Sequence, residues 1–261
     1  MRAFNLLFAL LVNAIPLYGV RYLGWSASTV VVLYWFENLL IAVFTCARIA
    51  LHRRLTRKRG HWRGGTLGVK VNDRPLTTGL LGEYATMAFV FTFAHGIFVG
   101  GFLLIAAQNH GDSALWQFSR AQFTQGATWT AAALAAEFLL DAATIRSRSF
   151  AWIRAYVGKR MGRVLVMHLT IIFGMWGMMA TESPFAVLYV LIALKTLWDV
   201  AASMAGASPG ALPAEPPAWL SKLGDSVGKD QGGAAKMRAD WKRNVEDMRR
   251  AALEDEETMP A

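Results

Sequence analysis

The chain has 261 residues, 54% hydrophobic and 17% charged, with a formal net charge of +9. Soluble domains carry about 25% charged residues, and here the charges are segregated: apolar stretches alternate with basic connections. The single cysteine, Cys46, excludes an intrachain disulfide framework and a Cys-rich metal site. The Lys and Arg residues crowd the ends of apolar stretches, a pattern of membrane topology, and no nucleic-acid partner is expected.

A bilayer core takes about 20 mainly apolar residues per helix. Stretches 3–23, 27–49, 79–107, 126–146, 163–181 and 184–204 qualify. The first is interrupted by Asn5, Asn13 and Pro16 and is followed by no small-x-small cleavage site, so it reads as a membrane helix and not as a signal peptide. The connection 50–78 carries Arg53, Arg54, Arg57, Lys58, Arg59, Arg63, Lys70 and Arg74. The connection from 146 to 163 carries Arg146, Arg148, Arg154, Lys159, Arg160 and Arg163. The alternate connections hold only Arg21 and Arg120. By the positive-inside rule this predicts an all-α, polytopic membrane protein of six spans with both termini cytoplasmic. Its surroundings are the lipid bilayer and, against the basic loops, anionic headgroups of the cytoplasmic face. Oligomeric state is not legible.

After 204 the composition changes. Residues 205–233 are rich in Pro, Gly, Ala and Ser, which suits a flexible linker. Over 234–253, Met237, Trp241, Val245, Met248 and Ala252 recur at helical spacing and make one apolar stripe among basic residues. The stripe fits either a solvated helix or one lying on the anionic inner leaflet, and the acidic end Glu254–Glu257 argues against the second.

Ionisable groups at bilayer depth cost roughly 2.5–3.5 kcal/mol each on insertion scales and usually face a bundle interior. The second span carries Glu37 and Asn38. The third carries Glu83 near its inner end and His95 near its middle. The fourth carries Glu137 and Asp141, the fifth His168, the sixth Lys195 and Asp199. At 1.5 Å per residue, Glu37, His95, Glu137 and Lys195 lie near mid-span and Asp141, His168 and Asp199 about one turn nearer the cytoplasm, so five helices present polar groups within a slab on the order of 10 Å thick. Glu137 with Asp141, and Lys195 with Asp199, are spaced i,i+4 and share a helix face, and the second pair suits a local ion pair.

Tyr34-Trp35-Phe36-Glu37-Asn38, then His95-Gly96-Ile97-Phe98, then Arg163 to His168 with Ile171 to Gly174, then Lys195 to Asp199, follow one another in order. In this the chain resembles a bacterial membrane family, domain of unknown function 6498, over roughly 5–203. The resemblance implies a bacterial inner-membrane protein and brings no established activity. Members of that family often carry a further histidine one or two turns before the His-Gly pair, where this chain has Met87. Many carry His-Gly-x-Ser in the fourth span, where this chain has Glu137 and Asp141.

Three functions fit these residues. His95, His168 and Glu37, with Glu137, Asp141 or Asp199, are nitrogen and oxygen donors of the kind that a divalent transition metal takes in a buried catalytic site. A chain of Glu, His, Asp and Lys at midplane also suits transfer of a proton, ion or small solute. The same groups can instead lock helix packing or hold a partner. No His-Glu-x-x-His, Gly-x-Ser-x-Gly or phosphate-loop pattern selects an enzyme.

Overall fold

The computed structural model describes residues 14–67, 70–71, 74–75, 78–110, 117–181, 185–204, 215 and 233–260. The start of the expected first span and nearly all of the expected linker 205–233 lie outside the described residues, as do the side chains of His168 and Asp199. The described chain is helical apart from a hairpin of two-residue strands, β1 (Lys70–Val71) antiparallel to β2 (Arg74–Pro75). Its helices are α1 (14–22), α2 (Ala27–Thr56), α3 (Gly79–His110), α4 (Arg120–Thr144), α5 (Phe150–Thr181), α6 (Phe185–Met204) and α7 (Gly233–Asp255).

Helix α2 is the central pillar, in contact with α3, α4, α5 and α6. It starts where the Ser26 hydroxyl accepts a hydrogen bond from the Thr29 amide at 3.2 Å, one of the donors that a helix leaves unpaired at its N-terminus. It ends at Arg57, which takes a left-handed conformation at φ 51°. Helix α4 starts beside α2. The Ser119 amide donates to the Thr29 hydroxyl at 3.1 Å, and the Ser26 amide donates to the Gln122 side-chain oxygen at 3.1 Å. Their far ends meet the starts of α3 and α5, where Ile49, Leu80, Tyr84, Phe150, Ile153 and Val157 form a buried core. Consecutive helices from α2 to α5 thus alternate in direction, and the basic connections gather at one end of the bundle.

Helices α2, over Ala27–Thr56, and α3, over Gly79–Gly101, are long and apolar enough to cross a membrane. The connection expected from 146 to 163 is mostly helix, because α5 begins at Phe150. Arg154, Lys159, Arg160 and Arg163 therefore ride on nearly four additional turns of α5, while Arg146 and Arg148 lie just before it. Large apolar side chains point outward: Val90, Phe93, Ile97, Leu139, Trp176 and Leu197 are each more than half exposed.

The turn into α3 is tight. Gly79 has φ +71°, and a Cβ there would stand 2.3 Å from the His61 carbonyl oxygen. A left-handed non-glycine residue costs about 1–3 kcal/mol on its own. Gly79→Ala is expected to lower stability by at least that much, read as a drop in the thermal unfolding midpoint of the purified protein.

Candidate functional site

The buried face of α2 carries polar groups at three levels. Glu37 lies about 15 Å along the helix from its start, Arg48 about 16 Å further, and His52 one turn beyond.

At the first level, Glu37 Oε1 is 3.0 Å from Lys195 Nζ of α6, and both side chains are 4% exposed. The ammonium also lies 5.8 Å from the centre of the Tyr34 ring, within the range of a cation–π attraction. Lys195 therefore reaches across to another helix, beyond the local partner that its spacing to Asp199 suggested. Asn38 turns away from this pair and donates its amide to the Tyr34 carbonyl of its own helix at 2.9 Å. The Trp35 indole donates to the Thr92 carbonyl of α3 at 2.9 Å. The ring can come so close because Gly96 has no side chain: a Cβ there would sit 2.9 Å from Trp35 Nε1. Next to it His95 Nδ1 donates to the Phe91 carbonyl at 2.9 Å, with the two rings 3.8 Å apart.

At the second level, Arg48 is 1% exposed. Its Nε donates to Asp141 Oδ2 at 2.8 Å, and its Nη2 lies 3.9 Å from Glu137 Oε2. Arg160 of α5 completes the group, donating from Nη2 to Glu137 Oε1 at 2.6 Å and from Nε to the Tyr156 hydroxyl at 3.0 Å. Both guanidinium carbons are about 5 Å from the centre of the Tyr156 ring. Two carboxylates thus face two guanidiniums. A cavity of about 40 Å³ between α2, α3 and α5 is lined by Asn38, Tyr84, Met87, Phe91, Thr92 and Arg160, among others. It has room for a water, which needs about 10–15 Å³.

At the third level, His52 Nε2 lies 3.1 Å from the Arg148 carbonyl, so that nitrogen carries the proton. His52 Nδ1 is then the acceptor for His61 Nε2 at 2.7 Å. His61 Nδ1 is left as a buried lone pair without a hydrogen-bond partner among the described residues. Burial, then the neighbouring His52 and Arg53, push the His61 imidazole down to about 3. Glu83, fully buried, accepts from the amides of Thr66 at 3.1 Å and Leu67 at 2.7 Å, which pins the loop before α3.

Of the expected site residues, Glu37 meets Lys195, Glu137 and Asp141 share Arg48, and His95 Nδ1 bonds to a carbonyl of its own helix. Asp199 and His168 lie outside the described side chains. Among the described residues no three His, Cys, Asp or Glu side chains converge as metal ligands. Arg48, Arg160, His52 and His61 were not singled out as site residues. Arg48 had the clearest signal, a charge inside an apolar run and three turns from Glu37 on the same face.

The family model described as Family of unknown function (DUF6498) matches residues 1–215. The chain belongs to this family. No curated protein and no solved structure matches it. Three segments of the matched region that are far apart in sequence meet along Tyr34–Asn38: Trp35 packs on the Thr92–Gly96 turn of α3, and Glu37 pairs with Lys195 of α6.

Removing one partner of a buried ion pair costs about 3–5 kcal/mol, whereas replacing both by apolar groups is often neutral. Glu37→Leu and Lys195→Met are each expected to lower the unfolding midpoint clearly. The double variant Glu37→Leu/Lys195→Met should recover most of the loss in a double-mutant cycle.

His61 makes a separate prediction about pH. Its folded value of about 3 lies below the ordinary 6.5, so the unfolded ring takes up a proton first as pH falls. The stability it contributes is complete above pH 6.5 and is lost as pH falls from 6.5 toward 3. His61→Gln, which keeps a donor for His52, should flatten that part of the stability–pH curve.

Proposed function

We propose that this chain is a six-span protein of the bacterial inner membrane, with both ends cytoplasmic, and that it passes a proton or small ion through the bundle at the Glu37–Lys195 pair. The observation that carries this reading is that pair: two opposite charges on different helices, each 4% exposed, held in an apolar bundle. Charged groups inside membrane bundles are rare, face the interior and mark ion or proton pathways. The membrane placement is supported by the outward-facing apolar side chains of α3 to α6, by α2 and α3, the two among the described residues long and apolar enough to cross a membrane, and by the basic residues gathered at one end. The cavity between Asn38 and Arg160 gives water a place between the first and second levels.

A second reading has its own support. At both levels each carboxylate faces a cation, which is what a packing lock needs, and such a lock requires no transport. The metal-site reading has less support, because among the described residues no three His, Cys, Asp or Glu side chains come together.

Reconstitution in liposomes with an internal pH-sensitive dye separates the first two readings. Under an imposed pH gradient and membrane potential, the wild type should carry protons faster than protein-free vesicles. Glu37→Gln should reduce the flux at least tenfold while the protein still inserts. The apolar double variant should regain thermal stability without regaining flux. No flux above protein-free vesicles for the wild type under proton or small-ion gradients leaves the packing lock as the function of the pair.

A further inference from the structure

The acidic C-terminal end is docked, and what it docks on is built to hold anions. Two backbone hydrogen bonds lay residues 257–259 along residues 57–59 in antiparallel fashion. The Arg59 amide donates to the Glu257 carbonyl at 2.8 Å, and the Met259 amide donates to the Arg57 carbonyl at 2.9 Å. The side chains then match charge to charge. Arg59 Nη1 is 3.1 Å from Glu257 Oε2, Arg63 Nε is 3.2 Å from Asp255 Oδ1, and Lys58 Nζ is 3.7 Å from Glu256 Oε2. Arg57 donates to the Pro260 carbonyl, and Arg154 stands 4.0 Å from Asp255 Oδ2. The Glu256 carboxylate also accepts from the Phe150 and Ala151 amides at 3.1 and 2.9 Å, and so caps the start of α5. That is the position in which a helix terminus receives a phosphate or carboxylate.

The docked segment is held by contacts that can exchange. Arg59, Glu257 and Glu254 are more than half exposed, and pairs of that kind are individually weak and screened by salt. Asp255 is buried, and burial pushes its carboxyl above the ordinary carboxylate range despite Arg63 and Arg154. The corner sits where α2 ends and α3 and α5 begin, at the basic end of the bundle. In the membrane placement proposed above, on which this inference rests, that end lies at the headgroup level.

We propose that this corner is a binding surface for anionic phospholipid headgroups, and that residues 254–260 occupy it as an intramolecular substitute which an anionic membrane displaces. Lipid phosphates take the places of the Glu256 and Glu257 carboxylates on Lys58, Arg59 and the α5 amides. The released α7 is then free to lay its exposed basic residues Arg238, Lys242, Arg243 and Arg249 on the same leaflet. Basic residues beside an anionic leaflet gain with each added charge, so the two occupants compete through one set of side chains.

Hydrogen exchange of the full-length protein in nanodiscs tests this. In discs of phosphatidylcholine alone, the Arg59 and Met259 amides should be protected. In discs containing phosphatidylglycerol at the same ionic strength, both should exchange at least tenfold faster. Millimolar inorganic phosphate added to the neutral discs should leave the protection in place. The variant Asp255→Asn/Glu256→Gln/Glu257→Gln should lose the protection in neutral discs. Equal protection in both discs, release by free phosphate, or a protected triple variant would each overturn the proposal. Failure of the membrane placement itself would look different, as a protein that stays soluble without detergent and does not enter the discs.

Discussion

The bundle is organised by the cost of taking charge out of water. An unpaired carboxylate or ammonium in an apolar interior shifts to its neutral form or forces water inward, and a paired one fixes which helices must be neighbours. Glu37 and Lys195 tie α2 to α6, and Arg48 ties α2 to α4 through Asp141. Arg160 brings in α5 through Glu137. Apolar packing alone is permissive about rotation and sliding between helices. A 3.0 Å contact between two charged atoms is not, so the ion pairs set the register of α2 against α4 and α6, while the Trp35 hydrogen bond to Thr92 beside Gly96 sets it against α3.

Much of this was legible in the sequence. The helical class, the start of α2 after Ser26 and the start of α6 follow from apolar run length and from breaks at polar residues. Glu37, Glu137, Asp141 and Lys195 stand out because a charge in an apolar run is expensive wherever it falls. The partners were harder to see, for two physical reasons. Periodicity gives the face of a helix but not the helix opposite, so the i,i+4 spacing of Lys195 and Asp199 offered a local pair, which lies outside the described side chains, and gave no sign that Lys195 reaches Glu37. Charges near the end of an apolar run also satisfy the positive-inside pattern, and that explanation absorbed Arg160, which in fact turns back into the bundle. His52 and His61 escaped for a related reason: they lie among arginines, and only the fold of the 3₁₀ turn Arg59–Trp62 brings the two rings together.

The basic end holds more structure than a solvated loop would. Glu83 takes two loop amides, Gly79 allows the chain to pass the His61 carbonyl, and the two histidines join the end of α2 to the start of α5. Arg57, in a conformation that a non-glycine side chain rarely adopts, is held on both sides by the C-terminal segment. Helix propensity explains none of these features. They come from polar groups that must find partners once the connection is packed against the helices.

The distance along the chain between Glu37 and Lys195 has a consequence for how the protein is made. At roughly 5–20 residues per second, a ribosome needs on the order of ten seconds or more to synthesise the roughly 160 residues between them. During that interval α2 carries a carboxylate whose partner does not yet exist. Arg48 has a shorter wait, with 93 residues separating it from Asp141. Within the apolar bundle the pair that closes the middle is the last whose two partners are both made, and only the docking of residues 254–260 on the basic end follows it. A chain that stops short of α6 leaves Glu37 without Lys195, a cost in the apolar interior that a finished copy does not carry.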